Sequence, residues 1–154
     1  AVLSRVAPSG RRRVAWHDSL TTIDPAARDA LRFEQRGGML RNVLTREVPG
    51  LAAARVESVL QAGLGRAGLA RRDVTGWILH AGGRDVLAAV SARLALGTGE
   101  LRYSREALRE YGNLSSAFVL FVLDAALADH APGGWWWMSS FGAGFTCHGA
   151  LLRV

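Results

Sequence analysis

Residues 74–90 read "VTGWILHAGGRDVLAAV". The first part, Val74 to His80, is a short apolar run of the length and residue type that form a strand covered on both faces. Gly82 and Gly83 punctuate it, and residues 82–96 continue as a helix. A buried strand, a glycine turn and a helix in direct succession form the building unit of an α/β sheet. The stretch therefore predicts a mixed sheet with helices packed on it.

The rest of the chain fits around that unit. Residues 14–23, "VAWHDSLTTI", alternate and are rich in strand formers, and Asp24-Pro25 breaks them. In "LRFEQRGGMLRNVL" (31–44) the central glycines disfavour a helix, so two strands or one bent strand are expected. Residues 48–69 carry apolar side chains at helical spacing after Pro49, and glycines at 63, 65 and 68 are expected to end that helix. Pro49 and Gly50 read as the turn into it. A short helix over 104–112 can be capped by Ser104 and stopped by Gly112. Residues 115–130 read as a helix that is apolar nearly all round and hence central. "WWWMSSF" and "GFTCHGALLRV" flank a Gly-rich turn as a closing antiparallel pair. About five strands in one mixed sheet, covered by helices, is the expected architecture.

Composition bounds the function. A chain of 154 residues, 49% apolar and 21% charged, can bury one core. All nineteen basic residues are arginine, giving a net charge of +6. With so much Ala and Gly, this reads as genomic composition rather than a nucleic-acid surface. Arg11-Arg12-Arg13 is too short for a nucleic-acid arm. The single cysteine, Cys147, excludes a disulfide framework or a CxxC metal site, and a reduced cytoplasmic setting is expected. Residues 1–12 resemble a linker remnant without a signal-peptide core, leaving 13–154 as the domain. The most apolar stretch, Ala117 to Leu123, falls short of the ~20 residues that cross a bilayer.

Two residues suggest chemistry. His80 ends a buried strand, where α/β sheets commonly hold their sites, and the glycines after it admit a close approach. Asn113, in "YGNLSSA" (111–117), precedes a helix, whose N-terminus favours developing negative charge. Side-chain donors converging from both would form an oxyanion site. Each taken alone is more often structural: a strand-end histidine, a turn asparagine.

The surrounding words add a resemblance. "REVPGL" (46–51), "WILHAGG" (77–83), "YGNLSSAFVLFVLD" (111–124) and "FGAGFT" (141–146) resemble the C-terminal half of type III polyketide synthases, the chalcone and stilbene synthase family of the thiolase superfamily. Ala81 and Ala143 stand where the family pattern has proline. The resemblance implies one thiolase-like half and a Cys-His-Asn triad in which His80 and Asn113 match the histidine and asparagine. It implies that the cysteine is acylated by an acyl-CoA starter and that His80 helps hold it as thiolate. His80 and Asn113 would donate to the thioester oxygen of malonyl-CoA as decarboxylation makes it an enolate. No cofactor is implied, since both CoA thioesters are substrates. Ser115 and the loop Gly142, Ala143, Gly144 would line the cyclisation cavity. Asn42 would stand at the cavity mouth, and Gly82 and Gly83 would lie near CoA. "LRFEQRGGMLRNVL" with "LHAGG" is similar to bacterial members that make alkylresorcinols or alkylpyrones from fatty acyl-CoA.

The family nucleophile belongs to an N-terminal half, so that half is an expected partner, with a homodimer when intact. Cys147 does not replace it. Its neighbour His148 points to the opposite face of the same strand, and Cys147 is expected as buried packing. The alternatives are half of a ketoacyl synthase III-like enzyme, whose "FGGGFT" wording is close but whose histidine is followed by Gln-Ala-Asn, and a non-catalytic acyl-CoA-binding or interaction domain. Of Trp135, Trp136 and Trp137, alternate members should pack on opposite sheet faces. Some would be exposed where a partner half packs. His17 and His130 have no partner motif and read as surface positions.

Overall fold

A computed structural model describes residues 4–6 and 12–154. Most of the expected linker remnant lies outside the described residues. In chain order the elements are β1 (Ala15–Ile23), β2 (Leu31–Arg36), β3 (Met39–Leu44), α1 (Val48–Ala67), β4 (Val74–Leu79), α2 (Arg84–Leu94), α3 (Arg102–Tyr111), α4 (Phe118–Ala128), β5 (Trp135–Gly142) and β6 (Thr146–Arg153). Four strands form one mixed sheet in the order β1-β6-β5-β4. β4 and β5 are parallel, and the other pairs are antiparallel. The parallel pair needs a long crossover, which α2, α3 and α4 supply. The expected architecture holds, with four strands in the sheet and β2–β3 apart as a separate hairpin.

That hairpin turns at Gly37 and Gly38, whose φ of 59° and 76° only glycine adopts without strain. Phe33 and Asn42 are cross-strand partners, as are Gln35 and Leu40, and Leu31 and Leu44. Partners and alternate residues share a face, so Phe33, Leu40, Leu44 and Asn42 stand together. The first three are 58%, 72% and 50% exposed, an uncovered apolar face. The opposite face carries the Arg32–Glu34 ion pair and Arg41.

Trp136 and Trp137 hold the sheet between its helical layers. Both are fully buried. Successive strand residues point to opposite faces, so the two rings fill both sides. Trp137 lies against α1: a Cβ on Gly63 would stand 2.7 Å from its ring, and one on Gly149 would stand 2.6 Å from its Cη2. Trp136 lies over Gly76 and donates from Nε1 to Pro132 O at 2.9 Å. Trp135 is only half-buried, edge-on to His17 at 4.9 Å with the Arg153 guanidinium over it. His17 and His130 are exposed, as expected.

Four local expectations change. Gly63 and Gly65 lie inside α1, and Gly68 alone ends it, with φ 66° and its N–H bonded to Gly65 O at 3.2 Å. Pro49 and Gly50 belong to the first turn of α1 rather than to a turn before it. Ser104 is not a cap: α3 starts at Arg102, and Ser104 is fully buried in its first turn. The predicted 115–130 helix is a 3-10 turn over Ser115–Ala117 followed by α4, and it is not covered all round. Leu120 and Phe121 are 41% and 44% exposed, and Tyr111 leans on Phe121 at 5.2 Å. No described helix is long and apolar enough to cross a membrane.

Candidate active site at the end of strand β4

β4 is an edge strand, and His80 is the first residue beyond it. The backbone N–H of His80 still bonds across to Ser139 O of β5 at 2.9 Å, so the sheet fixes where the side chain starts. The imidazole is buried between two phenylalanines. Phe118, the first residue of α4, meets it edge-on at 5.4 Å, and Phe141 of β5 lies at 5.1 Å. Apolar burial disfavours the charged ring and pushes its pKa down to about 4. At neutral pH His80 is therefore an uncharged imidazole with one N–H to donate. Nδ1 is buried and makes no hydrogen bond among the described residues.

The chain then turns at Gly82, with φ 61°. A Cβ there would stand 2.7 Å from Phe141 Cζ and 3.7 Å from His80 Nε2, so glycine is required by both space and conformation. Gly83 starts α2 by accepting from Leu87 N at 3.1 Å.

Asn113 arrives from the other side of this turn. α3 stops at Gly112, whose φ of 70° redirects the chain. The Asn113 amide is oriented at both ends: Nδ2 donates to Gly82 O at 3.0 Å, and Oδ1 accepts from Ser115 N at 2.9 Å. Ser115 holds φ 54°, unusual for a residue with a side chain. One Nδ2 hydrogen bonds Gly82, and the second remains for another acceptor. Asn113 is exposed. His80, Gly82, Asn113 and Ser115 thus form one connected group.

The loop Gly142–Gly144 continues from Phe141, the ring that touches His80, and so borders this group. Its Gly144 N–H bonds Leu31 O at 3.2 Å, tying it to the root of the β2–β3 hairpin. Asn42 sits farther along that hairpin, exposed, and shares no hydrogen bond with the group among the described residues. The sequence reasoning missed Phe118 and Phe141, although both stand inside the motifs that carried the resemblance. It also misassigned Ser104.

Cys147 lies on β6 opposite Phe141 in the strand register, fully buried. Burial pushes its thiol up to about 12, so it is no thiolate at neutral pH. His148 is exposed on the other face and bonds Thr21 Oγ1 at 2.8 Å. Among the described residues, no three His, Cys, Asp or Glu side chains are grouped to hold a metal ion.

Comparison with known proteins places the chain by family and fold. The family model for chalcone and stilbene synthases, C-terminal domain, matches residues 17–154. Among solved structures, PKS-I from the brown alga Ectocarpus siliculosus superposes with a TM-score of 0.84 at 27% identity. The match covers 97% of this chain and 42% of that chain, so this chain spans less than half the length of that protein. The mixed sheet and its helices are those of one thiolase-like half.

Proposed function

Because the chain belongs to the chalcone and stilbene synthase family, as its C-terminal domain, we propose that it supplies the two hydrogen-bond donors for decarboxylative condensation of malonyl-CoA with an acyl-CoA starter. The supporting observation is the Asn113 amide held on Gly82 O, two residues beyond His80, where an added Cβ on Gly82 would stand 3.7 Å from His80 Nε2. His80 Nε2–H and the second Nδ2–H of Asn113 would donate to the thioester carbonyl oxygen. Loss of CO2 leaves its electron pair on the α-carbon, and the negative charge is shared with that oxygen. Donors fixed in advance gain strength as the charge grows, which lowers the barrier. The α-carbon then attacks a cysteine-bound acyl group and displaces the thiolate, extending the chain by two carbons.

The cysteine would come from a nucleophile-bearing half of the enzyme. A thiolate brought beside His80 would raise the imidazole pKa again, because opposite charges favour each other. Leu120 and Phe121, exposed on the helix that begins at Phe118, are an apolar surface available for that half. Gly82 and Gly83 would lie near CoA, and Ser115 with Gly142, Ala143 and Gly144 would line the cavity. For the starter, we propose a long-chain acyl-CoA. Asn42 shares its hairpin face with the uncovered Phe33, Leu40 and Leu44, which suits an alkyl chain.

The test supplies malonyl-CoA to the whole enzyme and follows CO2 release, with and without a fatty acyl-CoA. Decarboxylation that requires Asn113 and product that incorporates the fatty chain are expected. Decarboxylation undiminished in Asn113→Ala would refute the assigned role, and strict dependence on an acyl carrier protein would overturn the CoA reading.

A further inference from the structure

We infer that Ser104 is a positioning residue for His80 and, through α3, for Asn113. This rests on the donor roles proposed above. β4 has a neighbouring strand on one side only, so its outward backbone groups lack a ladder partner. At Leu79, the residue before His80, one hydroxyl takes both roles. Leu79 N–H donates to Ser104 Oγ at 3.3 Å, and Ser104 Oγ donates to Leu79 O at 2.9 Å. Ser104 is fully buried, so water cannot replace it. On the inward side His80 N–H is bonded to Ser139 O. The strand end carrying the imidazole is therefore held from both edges.

The same helix is fastened to the same segment a second time. Ser104 lies in the first turn of α3, and Asn113 follows its last residue by way of Gly112. Ser104 bonds Leu79, and Asn113 bonds Gly82. α3 is thus stapled to residues 79–82 at both ends, on either side of His80. The spacing between imidazole and amide is set by a helix of fixed rise rather than by two loops. Removing the Ser104 hydroxyl leaves two buried backbone groups unpaired and frees one staple without touching either donor.

The test measures malonyl-CoA decarboxylation by the whole enzyme in Ser104→Ala, Ser104→Cys and Ser104→Thr, beside Asn113→Ala. A misplacement near 1 Å can cost on the order of 100-fold in rate. Ser104→Ala and Ser104→Cys are expected to lose roughly 10- to 100-fold in kcat with KM little changed, and Ser104→Thr, which keeps the hydroxyl, to recover most of it. A kcat within about threefold of the parent in Ser104→Ala, or in the near-isosteric Ser104→Cys, would overturn the inference, because only shape would then matter. If Ser104→Thr does not fold, exchange of the His80 amide proton decides. At least about tenfold faster exchange in Ser104→Ala supports the staple, and unchanged exchange overturns it. If Asn113→Ala itself keeps decarboxylation, the proposed function fails and the inference with it. If Asn113→Ala loses decarboxylation and Ser104→Ala does not, the inference alone fails.

Discussion

Asn113 Nδ2 donates to the carbonyl oxygen of Gly82 at 3.0 Å, two residues beyond His80. The contact uses one hydrogen of the amide and aims the other. Asn113→Asp separates the roles of its two ends. A carboxylate still accepts from Ser115 N, yet it faces Gly82 O without a donor and repels the developing enolate. Removing one such donor typically costs about 100- to 1,000-fold in rate. Asn113→Asp is expected to lose at least that much decarboxylation, and Asn113→Ala a similar amount. The exposed position predicts thermal midpoints near the parent's. A decarboxylation assay on both variants, paired with thermal unfolding, checks this.

His80 makes stability depend on pH. Its folded pKa of about 4 lies below the ordinary 6.5 because the ring is buried. Well above pH 6.5 the imidazole is neutral in both states and contributes no dependence. Below 6.5 the unfolded chain takes up a proton that the folded chain refuses until about pH 4, so stability falls as pH falls through that window. Between pH 7 and pH 5 the loss is about 2 kcal/mol. Urea unfolding at both pH values should show this drop in the parent and a smaller one, by that amount, in His80→Gln. Equal drops in the two proteins would mean that the folded ring titrates normally.

Cys147 is expected to be silent. A buried thiol pushed up to about 12 offers almost no thiolate at pH 8. A thiol-reactive dye should label the native chain far more slowly than the same chain in denaturant, and Cys147→Ala should leave decarboxylation by the whole enzyme unchanged. Rapid native labelling would contradict the burial.

How much of this was legible before the structure follows from where each residue's partners lie in the chain. β4, the glycine turn and α2 are contiguous, so residues 74–90 disclosed them directly. The β2–β3 hairpin was legible in part for the same reason: Gly37-Gly38 spoke against a helix but left two strands or one bent strand open. His80 and Asn113 stood out through motif wording, but their link through Gly82 O depends on a crossover that periodicity does not specify. Ser104 shows the limit most clearly. A serine near a helix start reads as a cap, and only the neighbouring edge strand makes it a partner of Leu79. α4 fails in a related way. Its composition is that of a core helix, yet Leu120 and Phe121 stay substantially exposed, with Tyr111 leaning on Phe121.

Gly149 tests the packing that holds the sheet. On β6 it leaves room for Trp137, and an added Cβ would stand 2.6 Å from both Trp137 Cη2 and Val59 Cγ1 of α1. The same ring lies close to Gly63 of that helix, where an added Cβ would stand 2.7 Å from Cζ3, so the indole has little room on either glycine. Overpacking of this kind costs typically about 1–3 kcal/mol. Gly149→Ala should therefore lower the melting temperature by roughly 3–10 °C in a domain of this size. Gly65 is the control. It lies inside α1, and nothing stands within 4 Å of its added Cβ. Gly65→Ala should raise stability by about 0.5 kcal/mol through helix propensity alone. Calorimetry on the two variants separates backbone cost from space: opposite signs are expected, and a neutral Gly149→Ala would show that the indole has somewhere to go.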